Sequence, residues 1–416
     1  MIFDNQLRHA AAIIAAYEGG QPLHIWLKDF FRDNKQMGSK DRKVLSNMVY
    51  GFYRLGHAVR DLPVGERILT GLFLCNDAPG ELLNYFRPRW YEKATLPPEE
   101  KIAFLQTEPE GASFRLTDIF PWKEELSEGI DHEAFCLSFL RQPDLFLRIR
   151  PGYESTVRQR LGQTPYPCEF IPPFTLRLPN GFKVEEYFTP DKEVVIQDYS
   201  SQRIAPFLQI SLPPGAPSGI FTGPGAQPSI SLYSGPTGHP PPLSFWDACA
   251  ASGGKSILAH DLYPDMPITV SDIRESILKN LQQRFSQAGI KKYRSFVVDL
   301  TLAPFDGSPL TYDLILVDAP CSGSGTWGRT PEDLYFFDPK KIVYYSEIQK
   351  KIVSHIAPRL VRGAYFVYCT CSVFKKENEE ITTLIREKFG LQKDSQENIK
   401  GYDRQADSLF AARFKA

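Results

Sequence analysis

From residue 243 onward, short apolar runs alternate with stretches of helical spacing, and this rhythm constrains the fold more than any other feature of the chain. "LSFWDACA" reads as a strand and "GKSILAHDL" as the start of a helix. "PITVSD", "RSFVVD", "YDLILVDAP" and "GAYFVYCTCS" read as further strands, with helical patterns in "RESILKNLQQRFSQAG" and "DPKKIVYYSEIQKKIVSHIAPRL". Strands alternating with helices make a doubly wound α/β sheet. Such sheets bind ligands at the carboxyl ends of their strands. Asp247, Asp272, Asp299, Asp318 and the cysteines near 369 to 371 fall at those ends, so one crevice is expected to collect them.

The rest of the chain has a different texture. In "IWLKDFFRDN" and "DRKVLSNMVYGFYRLGHAVRD" apolar residues recur three and four apart, which predicts a helical bundle over residues 1–135, with Ser39 as an N-cap. Lys35, Lys40, Arg42, Lys43 and Arg54 form either an RNA-facing patch or an ordinary solvated helix face. Residues 136–190 carry short strand patterns with turns at Pro-Gly and Asn-Gly, and read as a small α+β module. Its candidate phosphate contacts are Arg141, Arg148 and Arg150. Residues 191–416 are left for the α/β domain, interrupted at 211–243 by a Pro-, Gly- and Ser-rich insertion expected to be exposed and mobile.

Several function classes fall away. No apolar run approaches the roughly 18 residues of a membrane span. The first residues read as an amphipathic helix, with no signal-peptide pattern, so a cytoplasmic protein is expected, and we take it as a monomer. Net charge is only −1, so nucleic acid would be met by local basic patches. Seven cysteines in 416 residues are too few for a disulfide framework. Cys249, Cys321, Cys369 and Cys371 lack the spacing of zinc modules, and Cys369 and Cys371 are read as pointing opposite ways, so no metal is expected. A Cys321–Cys371 disulfide stays as a minor alternative.

The crevice residues suggest a cofactor. "DACAASGGKS" is a tight glycine turn into a helix, which lets backbone N–H groups approach a ligand, though it is neither a dinucleotide fingerprint nor a P-loop. Asp272 follows at the end of the second strand, where a carboxylate meets ribose hydroxyls. Asp299 ends the third strand, beside where an adenine would lie. Each aspartate alone could equally be a loop cap. Together they describe an adenosine-containing cofactor without a pyrophosphate. "DAPCSGSGT" and "YCTCS" bring thiols to two strand ends, which suggests paired use.

These motifs resemble those of the RNA 5-cytosine methyltransferase family, the RsmB (Fmu/Sun) and NSUN group, in its bacterial RsmB-like form. The matching stretches are "VIQDYSSQ" (195–202), "DACAASGGK" (247–255), "SDI" (271–273), "VVDLT" (297–301), "DAPCSGSGTWGRTP" (318–331), "VYCTCSVFKKENEE" (367–380) and "DSLFAARFK" (407–415). The resemblance implies a Rossmann-like methyltransferase domain preceded by a helical NusB-like domain and a small α+β RNA-binding module. It implies that Cys249, Ala250, Ala251, Ser252, Gly253, Gly254, Lys255, Asp272, Asp299 and Asp318 hold S-adenosylmethionine. Cys371 would be the nucleophile, Cys321 would help release product, and Asp318 would stabilise charge developing on the base. Cys369 stands where the family often has Ser and is read as packing into the sheet. Ser252 replaces the family's usual Pro, which should loosen the turn. The implied reaction is methylation of cytosine C5 in RNA, small-subunit (16S) ribosomal RNA, through a cysteine–C6 adduct on a flipped or single-stranded base. Two other readings stay open: DNA cytosine-C5 methylation, where the "PC" cysteine alone attacks, and a non-catalytic ribosome-assembly RNA-binding protein.

Overall fold

The computed structural model describes residues 2–78, 80–210, 218–219, 229–230, 243–302 and 311–416. They form two compact units. The first holds residues up to Pro143 together with 324–339 and 402–405. Its helices include Leu23–Asp33, Ser39–Arg54 and Val64–Cys75, whose apolar stripes supply core residues such as Leu27, Leu45, Met48, Phe52, Ile68 and Phe73. Ser39 is the first helical residue rather than the cap; Gly38 takes the cap position, with no side-chain cap bond. Glu332 accepts from the Leu23 N–H at 2.9 Å and so caps the Leu23–Asp33 helix from a distant part of the chain.

Arg54 does not belong to an RNA-facing patch. It is buried, and its Nη1 donates to the carbonyls of Phe139, Arg141 and Gly328. Arg42 is half-buried and donates to the Met37 carbonyl, whereas Lys35, Lys40 and Lys43 are exposed.

The second unit contains two sheets. In the smaller, β1 (Leu145–Ile149), β2 (Glu169–Ile171), β3 (Thr175–Leu178) and β4 (Val194–Ile196) run antiparallel in the order β2-β3-β1-β4. Period-two alternation sends Leu147 and Ile149 into the core of this module. It leaves Arg148 on the other face, where Arg148 Nη1 donates to Asp261 Oδ2 at 2.6 Å and Arg150 Nη2 to Asp261 Oδ1 at 2.7 Å. Both guanidiniums are buried, so neither is the phosphate contact that the sequence suggested. A buried charge must be paired, and here the partner comes from the neighbouring α/β domain. Arg141 remains exposed. The 211–243 insertion lies outside the described residues, except for Leu243 and the short antiparallel pair β5 (Ser218–Gly219) and β6 (Ser229–Ile230).

The larger sheet contains β7 (Phe245–Asp247), β8 (Ile268–Asp272), β9 (Tyr293–Val297), β10 (Tyr312–Asp318), β11 (Leu360–Thr370), β12 (Gln392–Ile399) and β13 (Leu409–Lys415). Its order is β12-β13-β11-β10-β7-β8-β9. β7 to β11 pair in parallel, and β13 is antiparallel to both β11 and β12. Leu314, Leu316, Val367 and Cys369 pack on one face, and Ile315, Val317, Phe366 and Tyr368 on the other. Burial on both faces is what a parallel sheet covered by helices requires. From β7 the chain builds outward through β8 and β9, then returns to place β10 on the other side of β7. That reversal makes a crevice at the carboxyl ends of β7 and β10.

Candidate active site

The glycine turn leaves β7 at Asp247 and enters the helix Gly254–Leu262. Ala251 (φ 45°) and Gly253 (φ 82°) both lie in the left-handed region. A Cβ on Gly253 would come within 2.9 Å of Leu281 Cγ, so glycine is needed for conformation and for space alike. Asp272 fastens the turn: its Oδ2 accepts from the Ala251 N–H at 3.0 Å and its Oδ1 from the Arg274 N–H at 2.9 Å. Ser252 is held by Arg284, whose Nη1 donates to its carbonyl and its hydroxyl, both at 3.0 Å. The cap position of the Gly254–Leu262 helix is Gly253, which has no side chain to cap the first N–H groups. A carboxylate at such an end is favoured by the helix dipole, so the residues present fit the carboxyl end of an amino-acid-bearing nucleoside.

The remaining aspartates differ from one another. Asp247 is 1% exposed; Ser256 donates to its Oδ2 at 2.6 Å, and its Oδ1 has no hydrogen-bond partner. Burial lifts its carboxyl to about 7, against the opposing effect of Ser256. Asp299 does not end a strand: β9 stops at Val297, and Asp299 Oδ1 caps a turn by accepting from the Thr301 N–H and hydroxyl. Cys249 packs against the apolar core, and burial pushes its thiol up.

Asp318, the last residue of β10, is gripped at both oxygens. Lys255 Nζ donates to Oδ2 at 2.6 Å and Cys369 Sγ to Oδ1 at 3.3 Å. Burial alone would lower the Lys255 ammonium, but Asp318 outweighs it and holds the ammonium above its ordinary value. Cys369 packs into the sheet as expected, fully buried, and in addition touches this carboxylate.

Cys321 Sγ and Cys371 Sγ stand 3.2 Å apart at the tips of adjacent strands. All seven cysteines are free thiols. The hydrogen bond to Cys371 and, after it, burial push the Cys321 thiol well up. Cys369 and Cys371 do not point opposite ways. Residues two apart along an extended chain share a face, and both border the same core cluster.

Three residues that the sequence did not single out lock the two cysteine loops together. Glu377 Oε2 accepts from the Ser322 N–H at 2.8 Å and from Gln349 Nε2 at 3.3 Å. Gln349 Nε2 also donates to the Pro320 carbonyl at 3.0 Å. Asn378 Nδ2 donates to the Ser372 carbonyl at 2.9 Å, and its Oδ1 accepts from Thr370 at 2.6 Å. Glu377 and Asn378 were visible as the polar "ENEE" that follows "TCS"; Gln349 and Arg284 carried no signal. Among the described residues no group of three or more His, Cys, Asp and Glu is placed to hold a metal ion, and no helix is long and apolar enough to cross a membrane.

A sheet of this order, with a glycine turn after β7 and aspartates at the ends of β7, β8 and β10, is a doubly wound α/β scaffold with its ligand crevice at the point where the strand order reverses. Residues 242–409 match the family model described as 16S rRNA methyltransferase RsmB/F. Over 136 residues the chain is 34% identical to a probable ribosomal RNA small subunit methyltransferase B of Bacillus subtilis (strain 168), covering 32% of this chain and 30% of that protein. Over 148 residues it is 30% identical to the ribosomal RNA small subunit methyltransferase B of Salmonella paratyphi B, covering 34% of this chain and 33% of that protein. The matched stretch thus spans about a third of the length of these relatives. Two solved structures share the fold at 18% identity. PH0851 gives a TM-score of 0.62 over 94% of this chain and 93% of its own. A methyltransferase homolog protein from Pyrococcus horikoshii gives 0.52 over 77% of this chain and 99% of its own.

Proposed function

We propose that the protein methylates C5 of a cytosine in RNA, small-subunit ribosomal RNA, with S-adenosylmethionine as donor. The observation that carries this reading is the Cys321–Cys371 pair, 3.2 Å apart, at the strand ends beside the Lys255–Asp318 ion pair. The relatives' names point to ribosomal RNA as the substrate class.

S-adenosylmethionine, when bound, supplies an electrophilic methyl group. Its carboxyl end would be held at the helix start at Gly254 and Lys255, and its ribose and base would fall to Asp272 and Asp299. Cytosine C5 is a poor nucleophile until a group adds at C6. Cys371, as thiolate, forms the S–C6 bond, and the ring's C5–C6 electrons become available at C5. The charge that then appears on the N3 side of the ring is met by the Lys255 ammonium, which Asp318 holds in place. Cys321 keeps its proton during the attack. After methylation the C5 proton must leave; a water beside the Cys321 thiol takes that proton. The C5–H electrons re-form the ring double bond, the S–C6 bond breaks, and Cys371 returns as thiolate.

RNA would be gripped by the helical residues 1–135 and the 136–190 module, through the exposed Lys35, Lys40, Lys43 and Arg141. The test is transfer of labelled methyl to small-subunit ribosomal RNA lacking this modification, against DNA of the same sequence. We expect 5-methylcytosine at one RNA position and none in DNA. Label in DNA alone, or at an atom other than C5, would overturn the reading.

A further inference from the structure

The turn after β7 combines strain with a weakness. Ala251 has a Cβ yet sits at φ 45°, where L residues are rarely found, and Gly253 follows at φ 82°. Ser252, between them, has no ring to fix its own backbone. We propose that Arg284 is the positioning residue of the cofactor turn.

Arg284 lies on the helix Glu275–Gln287, one face of which carries Leu281, Arg284 and Phe285 at spacings of three and four residues. Leu281 and Phe285 are the atoms against which Gly253 lies, so this face already abuts the turn. From the same face Arg284 Nη1 donates to both the carbonyl and the hydroxyl of Ser252 at 3.0 Å. The other edge of the guanidinium is fixed by a fork on Asp191, Nε to Oδ2 at 2.9 Å and Nη2 to Oδ1 at 2.7 Å. Asp191 is buried, and its own carbonyl accepts from Arg150 Nη1 at 2.9 Å. Arg150 in turn is paired with Asp261. A continuous chain of charge-assisted bonds thus runs Asp261–Arg150–Asp191–Arg284–Ser252 and ends on the turn. Because both edges of the planar guanidinium are engaged, its position is fixed rather than adaptable. The serine hydroxyl is a second acceptor that proline would not have.

The inference rests on the reading of this turn as the S-adenosylmethionine site, and the experiment separates the two. Dissociation constants for S-adenosylmethionine are measured by calorimetry on wild type, Arg284→Ala, Arg284→Lys, Ser252→Pro and Arg284→Ala/Ser252→Pro. Amide hydrogen exchange of residues 250–256 is followed on the same proteins without ligand. Arg284→Ala should weaken binding about tenfold, raise KM for the donor with kcat little changed, and speed exchange across the turn. Arg284→Lys should behave alike, because a single ammonium cannot span Asp191 and Ser252. Adding Ser252→Pro to Arg284→Ala should recover most of the affinity and slow exchange again, since a ring fixes φ where the clamp is gone. Wild-type affinity in Arg284→Ala, or no recovery with Ser252→Pro, would overturn the clamp. If wild type itself bound no S-adenosylmethionine, the cofactor reading would fall, and the exchange data alone would still decide the clamp.

Discussion

Replacing Asp247 by Asn should change how stability depends on pH more than it changes stability itself. Asp247 is 1% exposed, with one hydrogen bond to Ser256 and one oxygen unpartnered. Its ordinary value of 3.8 rises to about 7, first because burial disfavours the charged form. In the unfolded chain the group ionises near 3.8, so between roughly pH 4 and pH 7 the native state holds a proton that the unfolded state has lost. Stability from this group is therefore fully present below the unfolded value, and it is lost as pH rises through the folded one. Each pH step between them is worth about 1.4 kcal/mol, so the full cost above pH 7 is about 4 kcal/mol, and at pH 5 about 2 kcal/mol. Asn removes the ionisation. Its amide N–H groups lack an acceptor at the position of the free oxygen, which adds a fixed penalty of about 1–3 kcal/mol, independent of pH. The quantity to read is thus the difference between pH 5 and pH 8. Urea unfolding followed by fluorescence reports it, with Trp246 on the same strand as the one tryptophan of the second unit. From pH 5 to 8 wild type should lose about 2–3 kcal/mol more than Asp247→Asn. Other buried carboxyls, such as Glu332 and Glu377, titrate in both proteins and cancel. Parallel pH profiles for the two proteins would refute the reasoning, because they would mean that Asp247 is ionised, with a partner, throughout.

Asp261→Ala should leave the buried Arg148 and Arg150 without their counter-charge and cost about 3–5 kcal/mol, measured as a fall in the unfolding midpoint of the second unit; a loss under 1 kcal/mol would show that water reaches both guanidiniums. Glu377→Gln should keep the fold but loosen the link between the two cysteine loops, because the acceptor of the Ser322 N–H becomes neutral. We expect a fall of about tenfold in kcat with donor KM unchanged, seen in steady-state methylation assays; an equal change in donor KM would place the effect at the cofactor turn instead.

The α/β domain was legible because its strands are apolar on both faces and end in charged or thiol residues, a pattern set locally by residues such as Ile315, Val317 and Asp318. The cysteine pair was legible for the same reason: adjacent strand ends in one sheet bring Cys321 and Cys371 together. What failed was the fate of arginines. Arg54, Arg148 and Arg150 look like any surface cation in sequence. Their burial depends on acceptors distant in the chain, the carbonyls of Phe139 and Gly328 and the carboxylate of Asp261. Asp299 was misplaced by a two-residue error in a strand end, which is the usual precision of a boundary read from propensity. Arg284 and Gln349 were invisible, since each acts on a loop far away in the chain through a single side chain.

The central claim is that Cys371 attacks and Cys321 serves the later proton step. Wild type, Cys321→Ala and Cys371→Ala are incubated with labelled S-adenosylmethionine and unmodified small-subunit ribosomal RNA, then run on a denaturing gel. A stalled covalent protein–RNA band in Cys321→Ala, absent in Cys371→Ala, is the predicted result. A trapped band in Cys371→Ala instead would reverse the roles of the two thiols and contradict the account.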